Sequence, residues 1–138
     1  MPTDHALLAS VRHSLRVLNG AIETGSKAAG LTLQQQAFLL SLAARGGRQV
    51  PLAELRADLG MDQATTSELL ERLVRRGFAQ REAGRDRRAV MITITADGRA
   101  RFARSLITIH REIRAADARG DLRALRRNLR DYLAFHTK

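Results

Sequence analysis

Residues 59–81 read LGMDQATTSELLERLVRRGFAQR, and the rest of the chain can be interpreted from this segment in both directions. Asp62 is a favourable N-cap residue, because its carboxylate can accept a backbone N–H of the first helical turn. The apolar side chains that follow recur at helical spacing, at Leu69, Leu70, Leu73 and Val74. Gly77 ends the pattern, so the segment predicts one amphipathic helix.

A shorter helix is predicted just before it, in residues 50–60, VPLAELRADLG. Pro51 suits a first helical turn, and the apolar face consists of Leu52, Leu55 and Leu59. Gly60 interrupts the pattern between the two helices. Two short helices joined by a glycine-containing turn are typical of a helix-turn-helix.

The pattern after residue 77 changes to a period of two. Residues 78–83 (FAQREA) and 89–95 (AVMITIT) favour β-structure, and Val90, Ile92 and Ile94 alternate with Met91, Thr93 and Thr95. The charged sequence GRDRR, residues 84–88, separates the two segments, and Asp97-Gly98 ends the region. We expect a two-stranded β-wing directly after the helix-turn-helix.

Helical patterns flank this winged segment on both sides. Residues 5–28 predict a long helix with one apolar face, formed by Leu7, Val11, Leu15, Leu18 and Ile22. Residues 31–47 predict a second helix with Thr32 as its N-cap. In residues 99–136 the apolar positions are Phe102, Leu106, Ile109 and Ile113, then Leu122, Leu125, Leu129 and Leu133. The predicted fold class is mainly α with a small β-wing: one protomer, residues 1–138, with a winged helix-turn-helix in residues 31–98.

The apolar faces of the N- and C-terminal helices are large for a chain of this size. A monomer would have difficulty burying them, whereas a second copy of the chain would cover them through a two-fold interface. Residues 5–28 and 99–136 are therefore predicted to form a helical dimerisation region. The alternative is a helical subdomain that closes on itself.

The composition excludes several classes of function. The chain has 138 residues, 44% apolar and 28% charged, which suits one small globular protomer. It has no Cys, which excludes disulfides, thiolate metal sites and thiol chemistry. The four histidines lack metal-site spacing and no catalytic motif is present, so we expect no metal, no cofactor and no enzyme. No apolar run is long enough to span a membrane, and MPTDH does not begin a secretion signal, so we expect a soluble cytoplasmic protein.

The formal net charge of +10 favours a polyanionic partner, either nucleic acid or an anionic membrane surface. Most of the excess lies in residues 99–138, which contain eleven basic and four acidic side chains. Nearly all the basic residues are Arg, which binds phosphate bidentately and fits a narrow minor groove. A GC-rich genome also favours Arg codons, so the Arg content alone does not establish DNA binding.

Small polar side chains in the first turns of the helix after Asp62 are of the type that reads base edges in the major groove. Gln63 could pair with adenine, and Thr65 and Ser67 could reach bases or phosphates, whereas Asp62 is assigned to capping and Thr66 to the buried side. Ordinary helix-start chemistry is the alternative for Thr65 and Ser67. The candidate DNA-binding residues of this helix are Gln63, Ala64, Thr65, Ser67, Glu68 and Arg72.

The hairpin tip carries further candidates. An Arg at a wing tip can enter the minor groove, where the potential is most negative. Arg85, Arg87 and Arg88 are all near the tip, and we expect Arg87 or Arg88 to enter the groove. A solvated, charge-rich turn is the alternative.

Three segments together resemble the MarR family, the multiple-antibiotic-resistance type of transcriptional regulator. LTLQQ (residues 31–35) is similar to the family's LTxxQ opening of its second helix, and residues 59–81 to its recognition helix and first wing strand. RDRRAVMITITADG (residues 85–98) resembles the wing signature, D-x-R followed by an apolar strand, Thr and Gly. The D-x-R positions are Asp86 and Arg88, so the resemblance implies that Asp86 orients an Arg at the DNA. Glu68 departs from the family, which frequently has a basic residue there.

The resemblance also implies a mechanism. A homodimer binds double-stranded DNA at a pseudo-palindromic operator, usually as a repressor, and a small anionic or aromatic compound releases it. His13 and Arg16 are the candidate ligand-binding residues, because the family's pocket lies between the dimer helices and the winged segment. A surface Arg and an exposed His are the alternative. Thiol sensing is excluded by the lack of Cys.

Two other classes of function compete with a specific regulator. An architectural or nucleoid protein would coat DNA with little sequence preference, and the C-terminal charge favours it slightly. A winged-helix module for protein–protein contact would not need the three wing arginines. An affinity that falls steeply with salt concentration and is equal for all DNA sequences would support the first of these alternatives.

Overall fold

A computed structural model describes residues 4–83 and 89–136. It divides into two compact units: a winged unit, residues 26–106, and a helical unit, residues 1–25 and 107–138. Within the described ranges, no helix is both long and apolar enough to cross a membrane. The mainly helical fold with a small sheet confirms the predicted fold class. The elements in chain order are α1 (Asp4–Ala28), α2 (Leu33–Ala43), β1 (Val50–Pro51), α3 (Leu52–Leu59), α4 (Gln63–Arg75), β2 (Ala79–Ala83), β3 (Val90–Ile94), α5 (Ala96–Ala118) and α6 (Arg123–His136).

Two predicted helix ends, the Thr32 cap at the start of α2 and Gly60 at the end of α3, are confirmed. Thr32 caps α2 in a capping box: its hydroxyl accepts the Gln35 N–H at 3.1 Å, and the Gln35 side chain accepts the Thr32 N–H at 3.1 Å. Gly60 ends α3 with φ 62°, in the left-handed region that a residue with a Cβ enters only at a cost. Only Met61 and Asp62 separate this turn from the start of α4 at Gln63.

β2 and β3 form the predicted two-stranded wing, and the sheet has a third strand, β1, that the sequence did not indicate. β3 lies in the middle, antiparallel to both β1 and β2. In β1, Val50 pairs with Ile92 and Pro51 with Met91. Pro51 is therefore an extended N-cap of α3 and lies just outside the first helical turn. Because Val50 is completely buried, its packing in the core determines this strand, with no local β-pattern required.

α5 begins at Ala96, earlier than predicted, and includes Asp97 and Gly98, where the sequence predicts a break. The cause is Thr95, whose hydroxyl accepts the Gly98 N–H at 3.0 Å and donates to the Gly77 carbonyl at 2.5 Å. Since an N-cap satisfies the free N–H groups of a first turn, the helix starts directly after it.

The core of the winged unit lies among α2, α3, α4 and the sheet. Its fully buried large side chains come from every one of these elements, so the recognition helix is fixed to the rest of the unit by packing. They are Phe38, Leu39, Leu42, Val50, Leu55, Leu70, Leu73 and Ile92.

A polar network fixes α3 against the end of α2. Asp58 accepts the Ser41 hydroxyl at 2.8 Å and the Arg45 guanidinium at 2.5 Å, and Arg45 also donates to the Ser41 carbonyl at 2.6 Å. Arg45, followed by Ser41, lowers the pKa of the Asp58 carboxyl below its ordinary value, and Asp58 raises the pKa of Arg45. The first helix of the helix-turn-helix is thereby held against the end of α2.

The helical unit consists of most of α1, the second half of α5, and α6. The Asn128 amide donates to the Ser10 hydroxyl at 2.8 Å, and the Ser14 hydroxyl donates to the Asp121 carbonyl at 3.4 Å, so α1 contacts both α6 and the turn before it. The predicted apolar face of α1 is only partly buried within the protomer, because Leu15 is 53% exposed. Other large apolar side chains left exposed in this unit are Leu8, Ile107, Leu129 and Leu133.

Candidate DNA-binding surface

The recognition helix α4 buries one side completely. Thr66, Leu69, Leu70 and Leu73 form this side, as the sequence predicts. The Thr66 hydroxyl donates to the Asp62 carbonyl at 2.7 Å, so its hydrogen-bonding capacity is used inside the protein. The opposite side of α4 is left for contacts outside the protomer.

Asp62 caps α4 in the ionised form. Its carboxylate accepts the backbone N–H of Thr65 at 2.7 Å. This bond, together with the Thr65 hydroxyl, holds the pKa of Asp62 below its ordinary value. A negative charge also interacts favourably with the positive end of the helix dipole. The assignment of Asp62 to capping is confirmed.

The six candidate residues of α4 all lie outside the buried side. Gln63, Ala64, Glu68 and Arg72 are exposed, and Thr65 and Ser67 are half-buried. At about 100° per residue, Ala64 and Glu68 point away from the core. Gln63 and Ser67 lie on one flank of that direction, and Thr65 and Arg72 lie on the other. The structure therefore brings these side chains to one accessible surface, and their contacts with DNA stay predictions.

Two carboxylates share this surface. Glu71 Oε1 lies 3.9 Å from Arg81 Nη2 on β2, and both side chains are about half exposed. Such a pair adds little stability in water, but it partly neutralises Glu71. Glu68 makes no ion pair within the described residues, so it is the acidic group that a phosphate backbone would meet. Arg81 is outside the predicted set, because sequence alone does not indicate which strand residue lies beside α4.

A cavity of about 240 Å³ opens where the N-terminal ends of α3 and α4 meet the start of β3. Its lining includes Pro51, Arg56, Gln63, Thr66 and Val90. Arg56 is exposed and brings a positive charge beside Gln63. The sequence analysis missed Arg56, because no pattern separates it from the other arginines; the packing of α3 against α4 places it there.

The β-wing is described up to its tip. β2 and β3 pair from Ala79 with Ile94 to Ala83 with Val90. Glu82 on β2 accepts the Gln49 side-chain amide and, at 3.4 Å, the Thr93 hydroxyl, which ties the wing to the segment before β1. The predicted tip residues lie outside the described residues, and their roles stay predictions; they are Arg85, Asp86, Arg87 and Arg88.

The two candidate ligand-binding residues lie on α1, in the helical unit. His13 Nε2 is 3.5 Å from Asp121 Oδ1, and its side chain is 54% exposed. Arg16 is exposed and has no ion pair within the described residues. Neither residue lines the cavity at the N-terminal ends of α3 and α4. Their role in ligand binding is a prediction that these contacts do not test.

A cationic cluster that the sequence did not indicate lines a second cavity of the winged unit, about 460 Å³ in volume. The guanidinium groups of Arg76 and Arg101 lie 4.6 and 5.1 Å from the centre of the Phe78 ring. Arg76 donates to the Gly30 carbonyl at 2.9 Å, and Arg101 to the Ala29 carbonyl at 3.1 Å. These bonds tie the end of α4 and the start of α5 to the turn between α1 and α2.

Comparison with known proteins agrees with this arrangement. A family model described as the MarR family matches residues 29–89, which contain α2, the helix-turn-helix and β2. The chain belongs to the MarR family. MarR-family proteins are DNA-binding transcriptional regulators and not enzymes, so the predicted family and class of function are confirmed.

Several solved structures of transcriptional regulators share the fold. A probable transcriptional regulator from Pseudomonas aeruginosa is 31% identical, with 87% of this chain and 91% of that chain covered and a TM-score of 0.65. The transcriptional repressor CouR, bound to a 23-mer DNA duplex, is 28% identical, with 99% and 93% covered and a TM-score of 0.68. PcaV from Streptomyces coelicolor, in complex with its natural ligand, is 25% identical, with 75% and 74% covered and a TM-score of 0.57. Comparison with curated protein sequences finds no match.

Proposed function

We propose that this MarR-family protein is a homodimeric repressor that acts in the cytoplasm on a pseudo-palindromic operator. Each protomer inserts α4 into a major groove and its wing into the flanking minor groove. The two half-sites are about one helical turn of DNA apart. The observation that carries the proposal is the surface of α4: Asp62 and Thr66 satisfy the helix start internally, and the remaining polar side chains face solvent.

The side chains around the start of α4 have complementary tasks. Gln63 offers an amide that matches the N6 and N7 edge of adenine. Arg56, which lines the same cavity as Gln63, offers a phosphate contact that sets the position of the helix in the groove. The wing arginines add contacts in the minor groove, where Arg is favoured by the narrow, negative channel.

The homodimer is supported by apolar surface in the helical unit. Four large apolar side chains of this unit are each more than half exposed, which is unusual for a small monomer. They are Leu8, Leu15, Ile107 and Leu133. A two-fold interface buries the same apolar surface on both copies of the chain. Light scattering on the purified chain should give the mass of a dimer. A double substitution Leu15→Asp/Leu133→Asp should shift it toward the monomer and weaken operator binding.

A small anionic or aromatic ligand releases the repressor in this proposal. A ligand is supported by PcaV, a similar regulator whose structure contains its natural ligand. His13 and Arg16 receive the ligand on α1. A carboxylate ligand would compete with Asp121 for His13, since the two side chains are already 3.5 Å apart. Arg16→Ala should abolish release by the ligand and leave operator affinity unchanged in its absence.

Binding to the DNA upstream of the protein's own gene, against scrambled DNA of the same length, tests the proposal. The measurement should be made at ~150 mM salt, because salt weakens non-specific binding that depends only on phosphate contacts. A specific repressor should prefer the upstream fragment by about a thousandfold or more. Equal affinity for this fragment and for a genomic library of fragments would contradict it and favour the architectural alternative.

A further inference from the structure

One side of α6 concentrates positive charge. Arg123, Arg126, Arg127 and Arg130 have the relative spacing 0, 3, 4 and 7, which places them on a single side of the helix. All four are exposed. We call these four residues the arginine face; along the helix axis it spans about 10 Å.

Little negative charge balances the arginine face. Arg130 Nε lies 3.9 Å from Asp131 Oδ1, but with side-chain exposures of 77% and 42% this pair contributes little in water. The other three arginines make no ion pair within the described residues. Arg119, just before α6, is different, because its Nε lies 3.3 Å from Asp121 Oδ2. Four close like charges, of which only Arg130 has an acidic side chain within 4 Å among the described residues, favour a polyanionic ligand.

The side of α6 opposite the arginine face contacts α1. Asn128, whose amide donates to Ser10 at 2.8 Å, lies about 150° around the helix axis from the centre of the arginine face. α1 therefore contacts the side of α6 that points away from the arginines. The apolar side chains of α6 are centred about 120° from the arginine face, so a partner protomer that covers them leaves the arginines free.

We propose that the arginine face of α6 is a second DNA-binding surface, one that contacts the phosphate backbone and reads no sequence. Guanidinium groups bind phosphate bidentately, and 10 Å corresponds to about three phosphates along one DNA strand. A helix at a membrane surface instead buries its apolar side in lipid. In α6 that side borders the Asn128–Ser10 contact with α1, so phosphates of DNA match this helix better than a bilayer does. The surface requires no operator, and its action is independent of the proposed repressor mechanism.

The salt dependence of binding to a long duplex without an operator tests this surface. The variant Arg123→Gln/Arg126→Gln/Arg127→Gln/Arg130→Gln keeps good helix formers at exposed positions, so its circular dichroism and oligomeric mass should equal those of the wild type. Each lost phosphate contact reduces the slope of log K against log salt by about 0.9. We expect the slope of the variant to be smaller by about 2 to 3 for each engaged α6 helix.

A matched pair of variants separates the position of the charges from their number. Arg123→Gln/Arg126→Gln on α6 and Arg111→Gln/Arg114→Gln on α5 each remove two exposed arginines at the same spacing. Only the α6 pair should reduce the slope. An equal reduction by both pairs, or an unchanged slope in the fourfold variant, would overturn the proposal. So would binding to phosphatidylglycerol vesicles that depends on the arginine face while DNA binding does not.

Discussion

Gly98 in the first turn of α5 lies directly against the backbone of Phe78, just before β2. A Cβ on Gly98 would overlap the Phe78 carbonyl group. The same carbonyl oxygen accepts the Thr95 N–H at 3.1 Å, so it cannot withdraw without losing that bond. The end of the recognition helix and the start of α5 are thus joined by a contact that tolerates only glycine.

Substitution of Gly98 should therefore destabilise the protein strongly. We expect Gly98→Ala to lower the free energy of unfolding by about 2–4 kcal/mol, because backbone on both sides must move. Gly20→Ala is the matched control: Gly20 is also helical, but nothing stands within 4 Å of a Cβ there. That variant should be more stable than the wild type by about 0.5–1 kcal/mol. Urea unfolding of both variants measures this, and a stable Gly98→Ala protein would contradict the contact.

Asp62 should contribute a pH-dependent part of the stability. Its folded pKa is lowered, so its contribution is present above the unfolded value, near 4, and is lost as the pH falls through the folded pKa. At pH 7 we expect Asp62→Ala to lower the Tm by a few degrees. Below about pH 4 the difference from the wild type should shrink. Asp62→Asn keeps a capping oxygen and should retain most of the Tm at pH 7; a difference that is constant with pH would exclude the charged cap.

Glu68 should limit the affinity of the recognition helix for phosphates while it contributes to base reading. We expect Glu68→Gln to raise the affinity for scrambled DNA roughly three- to tenfold, since one repulsive charge is removed. The affinity for the operator should rise less, because a carboxylate that accepts from cytosine N4 is lost. Titration of both DNAs by fluorescence anisotropy measures the two changes. Glu112→Gln is the control, because it removes the same charge from the helical unit. It should leave the ratio of operator affinity to scrambled-DNA affinity unchanged.

Arg88 should be necessary for specific binding. We expect Arg88→Ala to lower operator affinity at least about tenfold, because a minor-groove contact is lost, and to leave circular dichroism and Tm unchanged. Arg12→Ala, which removes an exposed Arg from α1, is the control for net charge. Unchanged operator affinity in Arg88→Ala would assign the minor groove to another residue, with Arg87→Ala as the next variant to measure.

The features predicted correctly depend on neighbouring residues. The Asp62 cap involves residues 62 and 65, and the Thr32 cap of α2 involves residues 32 and 35. The burial of Thr66 follows from its position relative to Leu69, Leu70 and Leu73 within one helix. Interactions within one helical turn leave a periodic signal, which a single sequence is sufficient to show.

The features that the sequence did not indicate depend on distant residues. Val50 becomes a strand residue because Ile92 lies opposite it, and Arg81 neutralises Glu71 because β2 packs beside α4. Arg76 bonds to Gly30, which is 46 positions away in the chain. The sequence around one residue of such a pair does not identify the other, since any exposed Arg or buried Val has the same local sequence pattern.

The amino-acid sequence alone was therefore sufficient for the winged helix-turn-helix and its caps, because these follow from periodicity and from contacts within a few residues. The family was indicated by the resemblance of three segments of the sequence. Tertiary packing decided the third strand, the early start of α5 at Ala96, where Thr95 bonds to Gly77, and the charges that surround α4. The physical reason is that a buried side chain or a long-range ion pair gains its energy from whichever partner the fold brings to it.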